Sequence, residues 1–406
     1  MKTQVIPVLL ALLAAPVINA ADWPNFRGPE ARGFSDIALP DEAWQEQPQF
    51  AWTAELPGRG PSSPVLVGGR VFVTSSWGTP QDHLCVLAFD AATGRELWRR
   101  EFWATGRTLT HPFSAVAAPT PASDGKRIFA FYSSNDLVCL DLDGNLLWYR
   151  GLAHDWPKAG NDAGMGSSPV VVADTVVVQV ENQGDSFAIG IDVTNGETRW
   201  RLERKPIASW CTPVAISANE GESCAVLLQS SSELTAHDIH SGKQLWKHEA
   251  DCSTISSLVA ASRQLYVPIG GIITALSLAG PTDAPQVSWE SDRLRPSGGS
   301  PLLAGNRLYV ITGAGVLTCA DASSGKPLWQ LRIPNGKGAF WSTPAIAGDH
   351  LYCFREDGTA SVVRLGERGE IVGKHEFGET ILASPATADG ALYVRSDRHL
   401  WKIGGR

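Results

Sequence analysis

The chain reads as an all-β protein: an eight-bladed β-propeller of four-stranded antiparallel blades, closed by its N-terminal strand. Three observations predict this. A turn followed by tryptophan recurs, as LAFDAATGRELW ending at Trp98, VCLDLDGNLLW at Trp148, IGIDVTNGETRW at Trp200, TAHDIHSGKQLW at Trp246 and LTCADASSGKPLW at Trp329. Ser-Pro or Thr-Pro opens an apolar segment at Ser63, Thr120, Ser168, Thr212, Ser300, Thr343 and Ser384. The tryptophans mostly recur about 40 to 50 residues apart, the length of one propeller blade.

One unit shows how the residues make a blade. Pro301-Leu302-Leu303 reads as the first strand, and Asn306 turns the chain. Arg307 to Thr312 alternates as the second strand, Gly313-Ala314-Gly315 turns again, and Val316 to Ala320 is the third. Asp321 to Lys326 forms the last turn, and Pro327 to Gln330 is the outer strand. Short alternating strands between Gly, Asn and Asp turns are hairpin signals. In the last turn the Asp carboxylate accepts backbone amides and the Gly supplies a positive φ. The Trp offers a large apolar face with one N–H to place. Asp90, Trp98, Asp141, Trp148, Asp192, Trp200, Asp238, Trp246, Asp321 and Trp329 are therefore read as structural repeat residues.

Two units are degraded. Ser256-Ser257-Leu258 replaces the Ser-Pro start, with a long turn before Trp289, and the unit from Thr343 to Gly373 has no Trp. The final unit, from Ser384, stops after His399 to Ile403 with no outer strand. Gln49 to Thr53 reads as an outer strand with no blade before it, so the two halves complete each other and leave no long open edge. Seven blades is the alternative, if 256–290 is not a full blade.

Residues 1–21 carry one lysine, an apolar run and small residues at Ala20 and Ala21, the pattern of a signal peptide. Pro7 and Pro16 interrupt the run, which is short for a membrane span. The expected division is a signal peptide over 1–21, an extended arm over 22–48 that wraps the propeller, and the propeller over 49–406. Such a chain is exported, to the periplasm, the cell envelope or the exterior. Net charge is −8 with interspersed signs, which argues against a nucleic-acid partner. Four of the seven cysteines (Cys85, Cys139, Cys319, Cys353) fall in strands and read as buried thiols, while an exported chain permits one disulfide among Cys211, Cys224 and Cys252. There is no C-x-x-C, G-x-S-x-G, H-E-x-x-H or Walker loop, and the histidines are scattered. No catalytic residue and no metal ligand set is assigned.

The pattern A/L-x-D-x-x-[TS]-G-x-x-x-W followed by [ST]-P resembles the PQQ-binding-like β-propeller repeat, over essentially the whole expected mature chain. Asp22-Trp23-Pro24-Asn25-Phe26-Arg27-Gly28-Pro29 resembles the opening of exported proteins of this type from Planctomycetes and related bacteria. The resemblance implies two functional classes. One is the quinoprotein dehydrogenases, which hold pyrroloquinoline quinone (PQQ) and calcium on the propeller axis. The other is the BamB-like scaffolds of outer-membrane protein assembly, which are not enzymes. The quinoproteins are longer and carry adjacent cysteines beside the quinone, which this chain lacks, so no cofactor is expected. The reading is a non-catalytic propeller that binds a protein partner. The alternatives are a PQQ-dependent or other small-molecule oxidoreductase, and a carbohydrate-binding propeller.

In a propeller, the loops from each outer strand to the next inner strand gather at one end of the channel. Here they carry Arg59, His111, Phe113, Asn161, Asp162, Trp210, Asp251, Arg295, Phe340 and Trp341. Convergent polar groups ringed by aromatics suit a binding site. Arg59 and Arg295 are expected to pair with Asp162 and Asp251, or to face a carboxylate. The stretches 103–119 and 152–166 lengthen two adjacent connections at this end, where binding loops belong.

Overall fold

The computed structural model describes residues 22–44, 47–160, 162–217, 224–261, 263–280, 282–334 and 336–405. The expected signal peptide and Asn161 lie outside these residues. Each Ser/Thr-Pro start leads into a short inner strand and three longer ones. Blade 1 is Val65–Val67, Arg70–Trp77, His83–Asp90 and Glu96–Trp103, hydrogen-bonded in that order. Blades 2 to 7 repeat this over 122–151, 170–203, 214–249, 259–291, 302–332 and 345–376. The degraded stretch 259–291 is a complete four-stranded blade, which decides for eight blades over seven. Blade 8 takes Ala386–Ala388, Ala391–Arg395 and His399–Gly404 from the C-terminus, and its outer strand, Phe50–Glu55, from the N-terminal side.

The tryptophans explain how blades hold one another. Each lies opposite a residue small enough to leave room for its ring: Trp98 on Ala88, Trp148 on Cys139, Trp200 on Gly190, Trp246 on Ala236, Trp289 on Ala275 and Trp329 on Cys319. The indole N–H reaches the Asp turn of the following blade. Trp98 donates to the Leu142 carbonyl at 2.9 Å, Trp148 to Val193 at 3.1 Å and Trp200 to Ile239 at 2.8 Å. The turn glycine lies flat on the same ring. A Cβ on Gly144 or Gly196 would stand 2.7 or 2.8 Å from Trp98 or Trp148, and both glycines have positive φ. Trp52 closes the circle the same way, donating to Ala91 of blade 1 at 3.1 Å.

Blade 7 breaks the rule and is repaired from outside. Gly373 sits opposite Val362, in the register position of the tryptophan. Trp44 fills the gap. Its ring centroid is 6.0 Å from that of Tyr352, as Trp329 is 6.0 Å from Tyr309 and Trp52 is 6.0 Å from Tyr393. Trp44 is 7% exposed and joins Phe377, Leu392 and Trp401 in the core between blades 7 and 8.

The arm enters the channel before it reaches blades 7 and 8. Asp22 accepts from the Gly68 amide at the turn end of blade 1, and Trp23 pairs in both directions with Leu66 of the inner strand. Pro24 accepts from Ser123 of blade 2, Arg27 donates to Leu258 at the start of blade 5, and Arg32 accepts from Leu303 of blade 6. Phe34–Ser35 then runs parallel to Ala345–Ala347 and makes a fifth, innermost strand on blade 7. The loop has risen from the turn end, crossed the axis and returned. An inner strand has a free edge facing the axis, and the arm supplies partners for several of them.

Candidate functional site

The chain direction fixes what stands at each end. Asp turns lie at one end, with the arm's entry and exit. The connections between blades lie at the other, which is the mouth. There the Ser/Thr starts form a ring. The Ser63 amide donates to the Thr120 hydroxyl at 2.9 Å, Thr120 to Ser168 at 3.0 Å, Ser168 to Thr212 at 3.1 Å and Thr212 to Ser257 at 3.0 Å. Ser257 donates to Ser300 at 3.0 Å, Ser300 to Thr343 at 2.9 Å and Thr343 to Ser384 at 2.9 Å. Ser257 holds its place although its blade lacks the proline. Proline suits the next position because its fixed φ starts the strand and it has no N–H to satisfy. All eight hydroxyl residues are at most 8% exposed. The repeat signalled these residues, but their linkage across blades needs the closed ring and is not visible in any one unit.

The ring encircles a cup of about 230 Å³. Phe26 is the one arm residue in its lining and forms the floor, so the channel is stopped below the ring. Phe113, Trp210, Ile255, Trp341 and Leu382 form the upper wall. Sequence alone missed Phe26, because nothing local marks a residue that inserts into a distant ring.

Three of the ten expected mouth residues line this cup: Phe113, Trp210 and Trp341. Trp210 is held by its amide on Thr254 at 2.7 Å and its indole N–H on Gly164 at 2.7 Å. The segment before it is fixed by Arg204, whose Nε lies 2.8 Å from the buried Glu181 carboxylate. Trp341 donates to Glu356 at 3.0 Å and stays 43% exposed. The Phe113 amide donates to His111 Nδ1 at 3.2 Å, and both rings sit on the rim.

The expected Arg–Asp pairs do not form. Arg59 pairs with Asp397 at 3.0 Å and donates to Pro112 at 2.9 Å, while Asp162 pairs with Arg107 in a separate groove beside Trp210. Arg295 is exposed and folds back on the Asp292 carbonyl at 2.8 Å. Asp251 is exposed and contributes its carbonyl to Gly270. Neither lines the cup. Phe340 is buried at 1% exposure under the Arg355 guanidinium, 4.3 Å away. Neighbours in extended chain face opposite ways, so Trp341 faces the mouth and Phe340 the core.

Blade 1 adds a feature the loops did not announce. Three of its strands are eight residues long, which carries their ends above the mouth. His83 is stacked on Trp77 at 5.6 Å and touches Trp103 at 4.0 Å, and Trp103 is 63% exposed. Alternation over eight residues was the available signal. Cys211, beneath the mouth, is buried and free, its pKa pushed up to about 12 by burial. Cys252 is also buried and free, so these two thiols do not form the disulfide that export permits. Among the described residues no three His, Cys, Asp or Glu side chains stand together as a metal site, and no helix is long and apolar enough to cross a membrane.

Comparison with known proteins agrees with this architecture. The family model described as outer membrane protein assembly factor BamB matches residues 43–161, 82–266 and 269–372. The chain is 23% identical over 303 residues to the outer membrane protein assembly factor BamB of Burkholderia pseudomallei, a match spanning 74% of this chain and 63% of that protein. Among solved structures, BamB from Moraxella catarrhalis superposes with a TM-score of 0.64 at 15% identity, covering 88% of this chain and 98% of the other. A europium-containing methanol dehydrogenase reaches 0.69 at 13% identity, over 95% and 98% of the two chains. The quinohemoprotein alcohol dehydrogenase of Comamonas testosteroni reaches 0.69 at 13% identity, over 95% and 81%. At such identities the structural likeness speaks for the fold alone, which enzymes and non-enzymes share. The family match covers most of the chain: this protein belongs to the BamB family of outer membrane protein assembly factors.

Proposed function

We propose that this chain is an exported, non-catalytic scaffold of the cell envelope that docks a protein partner on its mouth face. The carrying observation is the concentration of exposed aromatic rings at the mouth, since the exposed side chains beside the turn end are, Phe50 apart, aliphatic (Leu146, Leu147, Val287 and Leu328). The turn end is built from tight Asp–Gly turns and the arm. The mouth end carries the two long connections, the raised edge of blade 1, and the exposed Trp103, Leu109, Phe113, Ile255 and Trp341. Exposed aromatic and apolar side chains on a rigid frame are the usual centre of a protein interface. The family supports the same reading, since the matched relative is named for outer-membrane protein assembly.

The enzyme reading finds less support. The cup lining contains no carboxylate, amide side chain or imidazole, and cysteines are absent from it. That set does not fit a calcium ion, which takes oxygen ligands from carboxylates and carbonyls. A carbohydrate site has only the aromatic rim in its favour.

Site-specific photo-crosslinking in the native host tests the proposal. Crosslinkers at positions 113, 103 and 341 are expected to capture the same envelope protein, while crosslinkers at the exposed turn positions 92 and 326 do not. Capture concentrated at the turn end would overturn it.

A further inference from the structure

The ring hydroxyls each have a proton to donate. Seven of them accept a neighbouring amide, and of the eight only Ser257 has a protein acceptor among the described residues, the Cys211 sulfur. A hydroxyl that accepts a hydrogen bond becomes a stronger donor through its own proton. The cup is thus a circle of O–H donors, seven of them polarised by an accepted amide, with no carboxylate or amide side chain in the lining to receive them.

A second observation points the same way. Arg27 is 2% exposed, and its guanidinium carbon lies 5.3 Å from the ring of Phe26, the floor of the cup. It donates one bond, to the carbonyl of Leu258, next in chain to the ring residue Ser257. Its Nε and Nη1 have no partner, and it forms no ion pair with a described carboxylate. Its backbone is held at φ 66°, in the left-handed region. Opposite, Arg395 is 1% exposed and donates to Ser62 beside ring residue Ser63, with Nη2 unpartnered. Burying a cation is costly, and these two lie just behind the cup wall, Arg27 beneath its floor Phe26 and Arg395 behind Ser62 and Thr74 with Asp397 near it, without joining the lining. Burial alone lowers both guanidinium pKa values, to about 10, which leaves them charged at neutral pH.

We propose that the axial cup is a carboxylate-binding site, in which ring hydroxyls donate to one carboxylate on the propeller axis and Arg27 and Arg395 balance its charge. The apolar upper wall suits the organic part of the ligand, which favours a carboxylate over an inorganic oxyanion. The small volume suits a chain terminus, an acidic side chain or a short free acid. The site does not depend on the docking proposal, since a free acid fills it without a partner.

The test is equilibrium dialysis of the full chain against radiolabelled butyrate at constant ionic strength. Ser63→Ala and Arg27→Gln serve as variants, with sulfate as competitor. Ser63 accepts no ring amide, so its change removes a donor and leaves the seven links intact. One butyrate per chain is expected, weakened about tenfold or more by loss of the charged donor in Arg27→Gln, weakened less by Ser63→Ala, and poorly displaced by sulfate. A short peptide acid binding in place of butyrate, with its amide inactive, would assign the site to a chain terminus. No saturable binding of either acid, or equal binding by wild type and Ser63→Ala with unchanged melting, overturns the proposal. Either result leaves the crosslinking pattern untouched, so the two readings fail separately.

Discussion

Trp44→Ala should damage a blade to which Trp44 does not belong. The indole fills the space left by Gly373 between blades 7 and 8 and is 7% exposed. A tryptophan buries about 150–250 Å², which at about 25 cal/mol per Å² is about 4–6 kcal/mol as an upper bound. Measured losses for large-to-small changes of this kind put the expected cost at about 3–5 kcal/mol. The Trp44 N–H has no partner, so this cost is packing alone, and Trp44→Phe should recover most of it. Trp200 differs: it is 6% exposed and its N–H bonds Ile239. Trp200→Phe should therefore lose about 1 kcal/mol more than Trp44→Phe, the net worth of one hydrogen bond. Guanidinium unfolding followed by circular dichroism reads the midpoints. Adding Gly373→Trp to Trp44→Ala returns an indole to the register position and should restore part of the loss. A Trp44→Ala variant within about 1 kcal/mol of wild type would refute the substitution of one tryptophan for another.

Three further outcomes follow from the same contacts. Gly28→Ala places a Cβ 2.4 Å from the Trp23 ring at a φ of +67°, so the arm should leave the channel and become sensitive to limited proteolysis, while the wild-type arm resists. Removing residues up to 55 deletes both the arm and the outer strand of blade 8, and should lower the melting temperature sharply or cause aggregation. The turn carboxyls of Asp90, Asp192, Asp238 and Asp321 are held below the usual range, first by the hydroxyls of Thr93, Thr194, Ser241 and Ser323. Their folded pKa values lie below the unfolded value, so their contribution is complete above that value and is lost as pH falls through the folded ones. Melting temperature should therefore drop on acidification below about pH 4, and Asp192→Asn should flatten that slope.

Much of the architecture was legible because each blade states it locally. The turn Asp and Gly, the Trp and the Ser/Thr start are all fixed by contacts within one unit or with the next. What was not legible depends on contacts between distant parts of the chain. Trp44 looks like part of a tether, and its role exists only because Gly373 left a gap. Phe26 and Arg27 lie in a Pro- and Gly-rich stretch that reads as an arm, and only the unpaired inner strands explain why it enters the channel. At the mouth, the structure brings Phe113, Trp210 and Trp341, named from loop position, into the cup lining. Phe340 points inward, and Arg295 and Asp251 stand outside the lining although Gly298 and Ile255 of the same connections are part of it.

The central claim is that the mouth, and not the plugged turn end, is the face this protein uses. The direct measurement is capture of the crosslinked envelope partner by purified Phe113→Ala/Trp341→Ala, beside wild type and a Lys326→Ala control on the turn end. Phe113 and Trp341 are 56% and 43% exposed, so the double variant should melt close to wild type. Its partner affinity should fall by at least about tenfold, the loss of one interface anchor, with the control unchanged. Full affinity in the double variant, or loss in the control alone, would contradict the account.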